Sequence, residues 1–327
     1  MLKNIKNIPK NIKNSFLNKI KKISLIFIFF LFYLNFYLSS LSFANSVISY
    51  DEKYLSYLSG YSRYFLWDLE NNKLILTKNV SNSINRIFYV DNENLALFSN
   101  SSLSISNNKV VKILNEYNLN STPLFLYSLI SLENYYRFLL LTDKTMNLCE
   151  IRDEKFRILS KQIILKPSNI LSIGDNSFIV SANRFVYLYK IWSFLGFNFI
   201  SKKKTLIFDR LVTFVDVDNK KNKLLVLTSD GKLNLYTINF QNLKTIDLNP
   251  SDQICLYALN NSDIIVSDKT EVVRIYSFSG SLKNTLNLPD KVMDILKTTD
   301  KIIIIYGNPD FPKLRIIDKE YNTIADI

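Results

Sequence analysis

"RLVTFVDVDNKKNKLLVLTSDGKLNLYTINFQNLKTIDL", residues 210–248, holds four short apolar runs separated by clusters of Asp, Asn, Lys and Gly. Runs of Val, Ile, Leu, Phe and Tyr of this length, punctuated by turn formers, read as strands. They fall at about 211–217, 223–228, 232–238 and 244–248. The next stretch, "QICLYALNNSDIIVSDKTEVVRIYSFSGSLKNTLNL", residues 253–288, has the same four beats. A unit of about forty residues is therefore repeated.

The register of the repeat is marked by a small or polar pair that ends each second run: Ser59-Gly60, Ser99-Asn100, Thr142-Asp143, Ser181-Ala182, Ser229-Asp230, Ser267-Asp268 and Gly307-Asn308. The offsets between them are 40, 43, 39, 48, 38 and 40 residues. Four strands at this period predict an all-β fold, a β-propeller of about seven four-stranded blades. The expected blades are 46–80, 84–118, 121–165, 168–206, 210–248, 253–288 and 291–327, one domain over 45–327. Second runs such as "KLLVLT" and "KIIIIY" are continuously apolar, as expected of strands covered on both faces. An outer-membrane barrel would show longer segments of strict alternation; a sandwich or solenoid accounts less well for the period. Gly is scarce, at six residues, and Asn71-Asn72, Asn107-Asn108 and Asn260-Asn261 stand where turns are needed, since Asn tolerates the left-handed region.

Residues 1–22 carry seven lysines and no acid, and are followed by "ISLIFIFFLFYLNFYL", Ile23 to Leu38. A basic start, an apolar run, and Ser42 and Ala44 at the −3 and −1 positions match a secretory signal cleaved between Ala44 and Asn45. An uncleaved anchor helix over residues 23–44 is the rival reading, and a buried core helix a weaker one. The first two export residues 45–327, to the periplasm or the outer face of a membrane. The formal charge of +12 falls to about +5 once the first 22 residues are set aside, which argues against nucleic acid as partner.

The chain has no His, which excludes His-based triads and His metal sites. Its two cysteines, Cys149 and Cys255, sit in apolar runs and read as buried thiols. "DVDNKKNK", Asp216 to Lys223, has the look of a calcium loop but lacks its central Gly and closing Glu, and reads as a hairpin turn. Asp216, Asp218, Asp263, Asp268 and Asp300 are expected at turns and strand ends. No metal site, cofactor or catalytic set is expected.

"TSDGKLNLYTIN", Thr228 to Asn239, and "WDLENNKLI", Trp67 to Ile75, resemble the blades of PQQ-binding-like and WD-like propellers. Among exported proteins the chain is similar to the BamB-type propeller subunit of outer-membrane-protein assembly, although neither a lipidated Cys nor an eighth blade is evident. That resemblance implies a non-enzymatic scaffold that binds other proteins, by loops or exposed strand edges. A ligand-binding or enzymatic propeller with a site in the central funnel is the alternative.

The repeat departs from its own spacing once, in the 48-residue interval after Ser181. It contains "KIWSFLGFNFISKKK", in which Trp192, Phe194, Leu195, Phe197 and Phe199 crowd a turn where other units have Asn and Asp. Trp192, Phe194, Leu195 and Phe197 are the candidate protein-binding residues; the competing reading packs these rings on the adjoining blade. "ISKKK", Ile200 to Lys204, reads as a solvated hairpin edge, with anionic contact as the alternative.

Overall fold

The computed structural model describes residues 46–59, 63–81, 84–111, 116–119, 121–132, 135–174, 176–194, 197–218, 220–247, 256–260 and 263–327, without the side chains of 131, 132, 194 and 197. The leader or anchor, the Ala44/Asn45 boundary, Leu195 and Cys255 lie outside the described residues.

Seven four-stranded antiparallel sheets follow one another along the chain. The first holds β1 Ser46–Ile48, β2 Tyr54–Leu58, β3 Arg63–Asp68 and β4 Lys73–Asn79; the second holds β5 Ile84–Tyr89, β6 Asn94–Ser99, β7 Ser102–Asn107 and β8 Tyr117–Asn118. The third holds β9 Pro123–Leu132, β10 Tyr135–Thr142, β11 Thr145–Arg152 and β12 Lys155–Ile163; the fourth holds β13 Pro167–Gly174, β14 Ser177–Ala182, β15 Phe185–Phe194 and β16 Phe197–Ile207. The fifth holds β17 Val212–Val217, β18 Lys223–Thr228, β19 Lys232–Thr237 and β20 Asn242–Asp247; the sixth holds β21 Leu256–Asn260, β22 Asp263–Ser267, β23 Val272–Ser277 and β24 Leu282–Asn287. The seventh holds β25 Val292–Lys297, β26 Ile302–Asn308, β27 Phe311–Ile317 and β28 Thr323–Asp326.

The first strand of each sheet touches the first strand of the next, and β25 touches β1. That closed circle of inner strands is a seven-bladed β-propeller, as the repeat predicts. Among the described residues, each marker pair ends the second strand of its sheet or opens the turn to the third. Asn72 supplies a positive φ of 50° in the turn between β3 and β4, the work left to it by the shortage of Gly.

The continuous apolar runs are explained by the packing of β18. Leu225 and Leu227 face the sixth sheet, against Tyr257, Leu259 and Ile264. Leu224 and Val226 face the fourth, against Ile179 and Val186. Alternate residues of one strand thus serve two interfaces, and each fully buried side chain contributes about 1.5–3 kcal/mol of hydrophobic stabilisation. Outer strands such as β20 and β24 are mostly exposed, and their long cations lace neighbouring blades. Lys204 Nζ donates to Asn239 O and Lys244 Nζ to Ser279 O, both at 3.1 Å, each onto the hairpin turn of the next sheet.

Asp216 lies next to last in β17, near a strand end, but its duty is not that of a turn: its carboxylate takes an ion pair from Lys297 of β25 and the N–H of Leu259 of β21. Lys297 also donates to Leu259 O and Val217 O, so one ammonium group ties the fifth, sixth and seventh sheets. Asp218 does sit at a turn, accepting the N–H groups of Asn222 and Lys223 at 2.7 and 2.8 Å.

Candidate docking hairpin

Six of the seven sheets carry a β-bulge between their third and fourth strands: at Leu66/Trp67, Leu148/Cys149, Leu188/Tyr189, Leu235/Tyr236, Ile275/Tyr276 and Ile316/Ile317. The bulge is a fixed point from which hairpin height can be read. The third strand continues two residues beyond Leu66, Leu235 and Ile275, four beyond Leu148, and six beyond Leu188. The β15–β16 hairpin therefore outreaches its fifth-sheet neighbour by four residues per strand, about 13 Å at ~3.3 Å per residue. Eight extra residues account for the 48-residue interval against a period of forty.

Both strands of this extension are paired, Trp192 with Phe199 and Phe194 with Phe197. Trp192 and Phe199 are thus strand residues, not members of a turn as the sequence suggests, because aromatic and β-branched residues suit a pleated surface and the ladder runs on to the Phe194–Phe197 pair. Successive residues alternate between two faces. Tyr189, Ile191 and Ile200 are buried against Leu139, Leu141 and Leu148 of the third sheet. Burial pushes the Tyr189 hydroxyl up to about 12, so it stays neutral. Gln162 Nε2 of β12 donates to Ile200 O at 3.0 Å, which covers that point of the β16 edge.

The opposite face runs Leu188, Lys190, Trp192. Leu188 is packed on the fifth sheet with Val215 and Val217. Lys204 reaches Asn239 in the turn of the fifth-sheet hairpin, and because that hairpin is four residues shorter per strand, the face beyond stands above its neighbour. Trp192 is 46 % exposed and Phe199 51 %. The indole has three polar partners: its Nε1 donates to Ser201 Oγ at 3.2 Å, and the Lys190 and Lys203 ammonium groups stand 4.8 and 4.7 Å from the ring centre. Lys202 sits 5.4 Å from the Tyr187 ring. At the tip, Ser193 Oγ donates to Asn198 Oδ1 at 2.8 Å, and Asn198 faces Arg137 of the third sheet.

Of the sequence candidates, then, Trp192 stands exposed; Phe194 and Phe197 form the last pair of the ladder, with side chains outside the described residues, as is all of Leu195. Sequence reading missed Lys190 and Lys203 as partners of Trp192. The i, i+2 spacing of Lys190 and Trp192 carried the signal, but only once the segment is recognised as strand.

The funnel alternative draws on Arg86, Asp216, Asp294 and Lys297, and each of these has structural partners. Burial raises the Asp294 carboxyl above the usual range, and it accepts from Ser46 Oγ of the first sheet and the Ile295 N–H. Burial lowers the Arg86 guanidinium to about 10, still charged at neutral pH, and it donates to Leu124 O of the next sheet. Among the described residues no group of three or more Cys, Asp or Glu side chains could hold a metal ion.

No family model and no curated protein matches the sequence. Solved structures do match the fold. Kluyveromyces lactis Hsv2 superposes with a TM-score of 0.59 at 9% identity, over 86% of this chain and 97% of that one. Kluyveromyces marxianus Hsv2 does so with a TM-score of 0.61 at 8% identity, over 86% and 96%. At such identities the likeness is one of fold, and by fold this chain is a β-propeller.

Proposed function

We propose that this protein is an extracytoplasmic, non-enzymatic β-propeller scaffold that binds another protein through the β15–β16 hairpin. The observation that carries the reading is the uncovered face of that hairpin, where a Trp and a Phe are exposed on a rigid ladder rather than on a loose loop. Exposed rings on a braced element suit a binding hot spot, because little conformational freedom is lost on docking. The basic, apolar leader supports export, and the resemblance read from the blade motifs at Trp67–Ile75 and Thr228–Asn239 is the ground for a role in that compartment. The anchor reading would keep the ring tethered to a membrane.

The docking test places a photo-crosslinking phenylalanine at Phe199 in the full chain and irradiates native membranes. A single dominant protein adduct that fades with Trp192→Ala is expected; absence of an adduct, or one indifferent to Trp192→Ala, would overturn the docking role. The export test is the N-terminal sequence of the native protein. It should begin at or near Asn45, or the protein should be membrane-bound, and a soluble cytoplasmic form retaining Met1 would refute export.

A further inference from the structure

The charge of residues 45–327 is unevenly spread. From Lys155 at the start of β12 to Ile207 at the end of β16 there are nine Lys or Arg and one acid, Asp175; the remainder has 25 Lys or Arg against 28 acids. All the excess positive charge thus lies on the third-sheet edge and the fourth sheet. The two outer strands touch there, and Lys155, Arg157, Lys161, Lys202 and Lys203 are exposed on them. Lys190, Lys202 and Lys203 belong to no ion pair among the described residues. On the other sheets several cations are answered: Lys297 by Asp216, Lys283 by Asp263 and Arg315 by Asp326.

We infer that the occupant of the uncovered hairpin face is an acidic segment of the partner protein, its carboxylates on Lys190 and Lys203 and an apolar side chain on Phe199. The inference rests on the docking reading above and adds the chemistry of the partner. Charge complementarity selects an anion, and the indole decides which kind. A bilayer would need Trp192 free to enter the acyl region, yet two ammonium groups lie over its ring and would have to go in with it. A nucleic acid would stack a base on the ring, and the same two groups occupy that surface. For carboxylates the arrangement is favourable. The ring holds two long, otherwise mobile side chains at a set spacing, so less side-chain entropy is lost when an ion pair forms. The β16 edge is a poorer site, since Gln162 already covers Ile200 O.

Trp67 is 1 % exposed and Trp192 46 %, and they are the only two Trp, so quenching by added acrylamide reports on the hairpin. The probes are a peptide in which Glu alternates with Val, the same peptide with Gln for Glu, phosphatidylserine vesicles, and a single-stranded oligonucleotide. The Glu peptide should bind and shield Trp192, more weakly as salt rises, and the Gln peptide should not. Lys190→Gln with Lys203→Gln should weaken Glu-peptide binding about tenfold, as two exposed ion pairs would. Lys291→Gln with Lys313→Gln, on the seventh sheet, should leave it unchanged with the same loss of charge. Failure of the Glu peptide to bind, equal binding of both peptides, or lysine-dependent binding of vesicles or oligonucleotide in preference to the Glu peptide would overturn the inference. Native crosslinking separates it from the docking reading. If Trp192→Ala abolishes the adduct and the lysine pair does not, the acidic partner falls and docking stands; if neither does, both fall.

Discussion

Trp67 and Trp192 occupy strands of the same rank in their sheets and have opposite duties. Trp67 is stacked on Phe65, ring centres 5.6 Å apart, and packed among Leu55, Ile303 and Ile305, whereas Trp192 is half in solvent. Trp67→Ala should therefore cost about 3–5 kcal/mol of stability, and Trp192→Ala no more than about 0.5 kcal/mol. Urea denaturation of the two variants checks this; a large loss for Trp192→Ala would return the hairpin to mere packing. Cys149 is fully buried in the cluster around Phe138 and Ile151, and burial pushes its thiol well above the usual range. The folded protein should leave it unreactive toward a thiol reagent, and unfolding should release two free thiols; a single fast-reacting thiol assigned to Cys149 would show the site to be open. The burial of Cys149 was legible in its apolar run. The duty of Asp216 was not, because an Asp near Asn and Lys reads as a turn unless Lys297, 81 residues away, is known to reach it.

At the scale of the hairpin, the repeat spacing revealed the insertion but not its form. A surplus of eight residues could enlarge a loop or lengthen two strands, and only the pairing of Trp192 with Phe199 and Phe194 with Phe197 decides for strands. Residues two apart on an antiparallel ladder share the same hydrogen-bonding class. Replacing Ser193–Asn198 by Asn-Gly should therefore close the hairpin on the Trp192–Phe199 pair in register, with a turn suited to the strand twist. That variant removes Phe194, Leu195 and Phe197 and leaves the Lys190, Trp192, Lys203 group in place. Its thermal midpoint should stay within about 2 °C of the parent, since the one contact with a neighbouring sheet given up among the described residues is the long 3.5 Å approach of Arg137 to Asn198. Retained crosslinking would assign docking to the flat face; lost crosslinking with the fold intact would assign it to the tip and remove Trp192 from the centre of the site.

For the whole molecule the question is how the ring closes. The sequence shows seven similar units, yet a period says nothing of whether the first and last exchange a strand. Here they do not: β1–β4 and β25–β28 are separate four-stranded sheets, each built from one end of the described chain. The core of the seam packs Leu55, Phe65 and Trp67 against Ile303, Ile305 and Leu314. Around this core, Glu52 accepts from Thr299 N and Oγ1, Lys301 donates to Leu69 O, and Arg63 reaches Asp310 O and lies 5.0 Å from the Phe311 ring centre. Every other neighbouring pair of sheets is also joined by the chain, so opening the seam is the one rupture that releases a blade interface without stretching a covalent link. Lys297 keeps the seventh sheet on the sixth and fifth, which places the opening between β25 and β1. Native-state hydrogen exchange in low denaturant should show β2 and β27 opening at lower free energy than β14 and β18. Ile305→Ala, at the seam, should cost about 2–5 kcal/mol and speed exchange first in the first and seventh sheets. Leu225→Ala, buried between the fifth and sixth sheets, should cost a similar amount without favouring those two. Uniform protection around the ring, or equal responses to the two substitutions, would mean that the seam is as strong as the chain-linked interfaces and that the propeller opens as one unit.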